Sequence, residues 1–181
     1  MKNTRINWCV DCDGVLSDFT SYALDALNDK LRTKITLEQY AKTKEFSMYK
    51  VFNISPSLFW KTIEDADIWS NMDPFLWALD LIDYLDHYGD ITICTSPSRN
   101  PQCAAKKIIW IQKHLGLGIN SIMIGSRKYL MAKDGNVLID DWDKNTKEFT
   151  EHGGKAILVP SNWNTPDLSF NIVKESIESQ L

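Results

Sequence analysis

Val10-Asp11-Cys12-Asp13-Gly14-Val15-Leu16 is the stretch on which the fold turns. An apolar run, Ile6 to Val10, leads into two carboxylates one residue apart, and a glycine follows directly. That order reads as a buried strand that stops, presents two acids at its tip and turns sharply. Acids at a strand tip are costly without a cation, so the pattern points to a metal ion or to phosphate chemistry. Alone the signal is weak, because acids and glycine are common in turns. It is not an EF-hand loop, since the glycine comes too early and no glutamate closes it.

Downstream of this strand the period changes. Phe19, Tyr22, Ala23, Ala26, Leu27 and Leu31 recur at helical spacing from Ser17 onward. Thr36-Leu37-Glu38-Gln39 has the form of a capping box opening a second helix. Lys42 to Ile54 shows no clear pattern. Ser55-Pro56 then opens a helix through Phe59, Trp60 and Ile63, with proline at its favoured first position. Roughly seventy residues thus separate the first two strands, where a plain crossover needs about a dozen. The surplus predicts an inserted helical cap over 17–73, on a core made of 1–16 and 74–181.

The core pattern resumes at Asp73-Pro74, read as the N-cap of a helix with Leu76, Leu79, Ile82 and Leu85 along one side and Gly89 at its end. Ile91–Thr95 is the second strand, closed by Ser96-Pro97. Ala104, Ile108, Ile111 and Leu115 mark a helix ending at Gly116. Ser121–Ile124 and Asn136–Ile139 are the third and fourth strands, the latter running into Asp140-Asp141. Ala156–Val159 is the fifth, and Thr165-Pro166 caps a last helix carrying Leu168, Ile172, Val173 and Ile177. Apolar strands alternating with amphipathic helices predict an α/β, Rossmann-like fold, its parallel sheet covered on both faces.

At 181 residues the chain can close one full core. Its net charge of −4 argues against a surface that grips duplex nucleic acid. No apolar run approaches the ~20 residues of a membrane span, and the N-terminus shows no leader-like apolar region, so a cytoplasmic protein is expected. Cys9-x-x-Cys12 has the look of a metal or redox pair, but positions three apart on a strand face opposite ways. Reduced structural thiols are the expected state.

Ligands of an open parallel sheet bind at its carboxyl edge, where the strand order reverses. Asp11, Asp13, Thr95, Ser96, Asp140 and Asp141 all follow strands, and Lys128 follows the third. Each has a plainer alternative: Thr95-Ser96 an ordinary turn, Asp140-Asp141 a helix cap, Lys128 a solvated side chain. Together they suit phosphoryl transfer. Asp11 and the aspartate pair would hold Mg²⁺, and Asp11 would also attack phosphorus. Asp13 would move the proton, while Thr95, Ser96 and Lys128 would hold the phosphoryl oxygens.

These residues resemble the four motifs of the haloacid-dehalogenase-like phosphatase superfamily: Asp11-x-Asp13-Gly14-Val15-Leu16, Thr95, Lys128 and Asp140-Asp141. More narrowly, DCDGVLSDF (Asp11–Phe19), ICTSP (Ile93–Pro97), KKIIWIQKHLG (Lys106–Gly116) and LIDD (Leu138–Asp141) resemble the 5′(3′)-deoxyribonucleotidases. The resemblance implies a Mg²⁺-dependent phosphatase acting on deoxyribonucleoside monophosphates through an aspartyl-phosphate. It implies Asp11 as nucleophile and metal ligand, and Asp13 as acid/base and as ligand through its carbonyl. Asp141 is then the direct metal ligand, with Asp140 beside it. Lys128 best matches the third-motif lysine, with Lys133 as rival. Phe19 and Trp60 are the aromatic residues that would sandwich the base. Trp142 departs from the pattern, standing where the family often has arginine. A sugar phosphate or a nucleic-acid 3′-phosphate as substrate, and a non-catalytic nucleotide-binding protein, stay open as alternatives. The expected partner is a small nucleotide, with no membrane, nucleic acid disfavoured and a homodimer left open.

Overall fold

The computed structural model describes residues 5–161 and 170–179. Five strands form one parallel sheet: β1 (Ile6–Val10), β2 (Gly89–Thr95), β3 (Ile122–Ile124), β4 (Asn136–Asp140) and β5 (Lys155–Leu158). Their order is β3-β2-β1-β4-β5. The chain steps outward from β1 to β3, then crosses back to β4 on the other side of β1, so the order reverses between β1 and β4. Val10 pairs with Ile93 of β2 and with Ile139 of β4, which brings Asp11, Thr95 and Asp140 to one edge. The third strand starts at Ile122 because Ile119–Ser121 winds as a 3-10 turn.

Six helices lie between β1 and β2, and the first five are α1 (Phe19–Leu31), α2 (Leu37–Thr43), α3 (Met48–Val51), α4 (Pro56–Asp65) and α5 (Ile68–Asn71). The capping box of α2 is formed, with the Gln39 backbone N–H donating to Thr36 Oγ1 at 3.2 Å and the Thr36 N–H to Gln39 Oε1 at 2.9 Å. At α4 the Leu58 N–H donates to the Ser55 hydroxyl at 3.2 Å. Around the sheet lie α6 (Ala78–Asp86), α7 (Pro101–Leu115), α8 (Asp143–Glu151) and α9 (Phe170–Glu178). One apolar cluster runs from Trp8, Val10, Ile93 and Ile139 of the sheet into Leu24, Leu27, Phe59, Ile63 and Trp69 of the inserted helices. The sheet and the helices that follow β1 therefore share one core.

Three expectations need correction. The helix expected from Asp73 starts at Ala78. Residues 73–75 instead pair with the exit of the first loop: Ser17 bridges Pro74, the Asp18 N–H donates to the Asp73 carbonyl and the Phe75 N–H to that of Leu16. Backbone committed to that pairing cannot wind helically, so Leu76 is fully exposed and the buried face is Ala78, Leu81, Ile82 and Leu85. Gly89 does not end this helix but opens β2, where a Cβ would run into the carbonyl of Ile6. On α7 the buried line is Cys103, Lys107, Trp110, Ile111 and Leu115, with Ala104 and Ile108 only half-buried. Gly116 does close α7, in the left-handed conformation at φ 67°. The cap pair Thr165-Pro166 and Leu168 lie outside the described residues; Val173 and Ile177 of α9 are buried.

Candidate active site

The loop after β1 is folded around one carbonyl. The Cys12 C=O accepts the N–H groups of Leu16 at 2.8 Å and Ser17 at 2.9 Å, and the Ser17 hydroxyl at 3.2 Å. Gly14 sits at φ 80°, a left-handed conformation that side chains disfavour. A Cβ at Gly14 would also overlap the Asp141 carboxylate. Glycine is therefore required twice, for the turn and for the approach of β4.

Asp11 begins where β1 ends, its N–H donating to the Ile139 carbonyl at 2.9 Å. It stands in the crevice between β1 and β4, where the strand order reverses. Asp11, Asp140 and Asp141 offer ligand oxygens all within 4.8 Å of one another. Burial, then the charges of Asp140 and Asp11, push the Asp141 carboxyl well above the ordinary carboxylate range. Burial, then Asp11, also raise Asp140. Three crowded carboxylates with one ammonium between them are short of positive charge, and a hard divalent cation with oxygen ligands fits that deficit.

The ammonium is Lys128, which lies in a short 3-10 turn, Lys128–Met131, after β3. Its Nζ lies 2.8 Å from Asp11 Oδ1 and 2.6 Å from Asp140 Oδ2. Burial opposes its charge, but Asp11 and Asp140 outweigh it and raise its pKa. Lys133, the alternative, is exposed. Asp140 further accepts the Trp142 N–H at 2.9 Å and the Asn145 amide at 3.0 and 3.1 Å. Its oxygens thus face donors from Lys128, Trp142 and Asn145. Asp140-Asp141 is not a side-chain cap of α8, whose N-cap position is Trp142.

A second buried lysine was not anticipated. Lys107 of α7 is 1% exposed, and its Nζ lies 2.5 Å from Asp13 Oδ2, 2.8 Å from Thr95 Oγ1 and 2.9 Å from the Ser96 carbonyl. Burial again opposes the charge, but Asp13 and other acidic groups outweigh it and raise the pKa. One signal was available in sequence. Lys107 falls in the helical register of Cys103, Trp110 and Ile111, a position where a lysine has to be neutralised by a partner.

Asp11, Asp13, Thr95, Ser96, Lys107, Lys128 and Asp141 line one cavity of about 310 Å³. Phe19 and Trp60 line its other wall, as do Phe46, Tyr49 and Trp142. Phe46 of the insertion stacks on Trp142 of the core, ring centroids 4.8 Å apart and planes 6° from parallel. Trp60 is 39% exposed and packs edge-on to Phe59. The cysteines stay outside the site's chemistry. All four are buried and free, Cys9 and Cys12 belong to different apolar clusters, and burial pushes the Cys12 thiol far up.

A family model described as "5' nucleotidase, deoxy (Pyrimidine), cytosolic type C protein" matches residues 5–172. A Bordetella pertussis protein named "Putative 5'(3')-deoxyribonucleotidase" is 28% identical over 139 residues, covering 73% of this chain and 72% of its own. A haloacid dehalogenase-like family hydrolase of Streptococcus pneumoniae superposes with a TM-score of 0.61 at 11% identity, over 98% of this chain and 99% of its own. YfnB of Bacillus subtilis, solved bound to magnesium, superposes with a TM-score of 0.61 at 14% identity, over 91% and 92%. Such distant structures speak for the fold. Among the described residues no helix is long and apolar enough to cross a membrane.

Proposed function

We propose that this chain, which belongs to the family of cytosolic type C deoxy-pyrimidine 5′-nucleotidases, hydrolyses deoxyribonucleoside monophosphates with Mg²⁺ through an aspartyl-phosphate. Membership makes it a phosphoric monoester hydrolase of the 5′-nucleotidase type. The observation that carries the finer reading is the cavity itself, with three carboxylates and two ammonium groups at its floor and aromatic rings on its walls.

Asp11, Asp141 and the carbonyl of Asp13 would hold Mg²⁺. When bound, the ion supplies positive charge to phosphoryl oxygens that would otherwise repel the floor. Both Lys128 and the Cys12 N–H, at 2.8 and 2.7 Å, engage Asp11 Oδ1, which leaves Oδ2 to attack phosphorus. As the Asp11–phosphorus bond forms and the ester bond breaks, Asp13 gives its proton to the leaving oxygen. Asp13 then takes a proton from the water that attacks the aspartyl-phosphate, which frees phosphate and restores the Asp11 carboxylate. Thr95 and the Ser96 hydroxyl donate to the phosphoryl oxygens, and Lys128 offsets their charge. Phe19, Trp60 and the Phe46–Trp142 pair give the base an apolar, stacking wall.

The test is phosphate release from a panel of deoxyribo- and ribonucleoside monophosphates, sugar phosphates and 3′-phosphorylated oligonucleotides, with and without Mg²⁺. Deoxyribonucleoside monophosphates should be turned over fastest, and only with Mg²⁺. Asp11→Asn should abolish turnover; comparable activity in that variant would sink the nucleophile assignment. Binding of nucleotide without turnover would favour the non-catalytic alternative.

A further inference from the structure

The two buried lysines divide the site between them. Lys128 holds Asp11 and Asp140; Lys107 holds Asp13, Thr95 and the Ser96 carbonyl. An ammonium has three N–H donors, and Lys107 spends one on each of its three partners. None remains for a phosphoryl oxygen. We propose that Lys107 is the positioning residue for proton transfer, setting Asp13 and Thr95 for the leaving group without itself touching substrate. This rests on the phosphatase reading given above.

Two consequences follow from the donor directions. Asp13 Oδ2 is occupied by Lys107, while Oδ1 receives only the Ser17 hydroxyl at 3.4 Å. Oδ1 is therefore the Asp13 oxygen placed to exchange a proton with the leaving group. Thr95 Oγ1 accepts from a group that cannot accept in return, so the Thr95 hydroxyl hydrogen is left for another acceptor such as a phosphoryl oxygen.

The base of Lys107 is held rigidly. Helix α7 starts on the Asn100 cap with Pro101 at its first position. One turn after Lys107, the Trp110 indole N–H donates to the Met72 carbonyl at 2.7 Å. Lys106, next in the chain, pairs with Asp67 of the insertion at 2.6 Å. The same helix therefore fixes the proton donor and grips the cap.

The leaving group provides a readout that a merely structural role would not move. A nucleoside or alkyl alcohol must be protonated as it departs, whereas p-nitrophenolate leaves without help. Lys107→Met keeps the unbranched stem and removes the donors. It should lower kcat on a deoxyribonucleoside monophosphate by about 10²-fold or more, the scale of general-acid catalysis. On p-nitrophenyl phosphate the loss should stay below about tenfold, with KM little changed on both. Lys128→Met, which touches the nucleophile half, should depress both esters alike. Equal losses on the two esters in Lys107→Met, or no loss on either, would overturn the proposal. If thermal melting shows that Lys107→Met does not fold, Lys107→Arg carries the test, since its displaced fork should still shift the ratio of the two rates. Wild-type protein inactive on both esters would overturn the phosphatase reading and this inference with it. Activity on the aryl ester but not on nucleotides overturns only the substrate assignment, and the ratio is then read against glycerol phosphate.

Discussion

Gly14 and Asp141 fit together only because Gly14 has no side chain: a Cβ there would fall on the Asp141 carboxylate oxygen. The φ of 80° at Gly14 adds strain for any L side chain. Gly14→Ala should therefore push Asp141 out of the carboxylate cluster. A displacement of about 1 Å at a reacting site costs about 10²-fold in rate, so turnover should fall at least that far. Steady-state kinetics alongside thermal melting would check it; unchanged kcat would mean that Asp141 has room to move without consequence.

Lys128 compensates two buried carboxylates at once, Asp11 and Asp140. Removing one partner from a buried ion pair strands the other and costs about 3–5 kcal/mol. Lys128→Met should lose stability on that scale in urea unfolding. Added Mg²⁺ should recover part of the loss, because it answers the same uncompensated charge.

Metal binding should itself appear as stability. A ligand that binds only the folded chain adds about 2.7 kcal/mol at a hundred times its Kd. Mg²⁺ should raise the melting temperature of the wild type and EDTA reverse it, while Asp141→Asn removes most of the shift. A full shift in Asp141→Asn would move the ion elsewhere.

The Asp67–Lys106 pair joins the insertion to α7 at 2.6 Å, with both side chains partly exposed. The Lys106 hydrogen bond, chiefly, holds the Asp67 carboxyl below the ordinary carboxylate range. A depressed carboxylate contributes stability that is complete above about pH 4, the unfolded value, and is lost as pH falls through the folded one. Asp67→Asn, tolerated at the left-handed φ of 50°, should cost about 0.2–1 kcal/mol near pH 7 and nothing in strong acid. Melting curves of both proteins across pH would show the two converging at the acid end.

Trp142 lines the cavity with its ring stacked on Phe46. Stacked aromatic pairs are worth about 0.5–1.5 kcal/mol beyond their burial. Trp142→Ala should raise KM for nucleotides about two- to tenfold and leave inhibition by inorganic phosphate unchanged. Equal weakening of both would place Trp142 at the phosphate rather than at the nucleoside.

Much of this arrangement was legible in the chain alone, for a definite reason. Ile6–Val10, Thr36–Gln39, Ser55-Pro56 and Gly116 act through local forces: period, capping and backbone conformation are settled within a few residues. Asp11, Thr95 and Asp140 were placed together because parallel strands put their carboxyl ends on one edge. Pairing between distant segments was not legible. The start of α6 at Ala78 depends on Pro74 meeting Ser17, and the need for glycine at position 89 depends on the Ile6 carbonyl.

The opening stretch shows the same division. Its own residues determine a strand, two acids and a glycine turn, since burial of an apolar run and the freedom of glycine are properties of the local chain. What those acids face was decided only in three dimensions. Asp11 meets Lys128 from 117 positions away and Asp13 meets Lys107 from 94 positions away, because the turn after β3 and helix α7 both return to the carboxyl edge of the sheet. A lysine on an amphipathic helix reads as solvent-facing until the fold supplies the carboxylate that allows it to be buried.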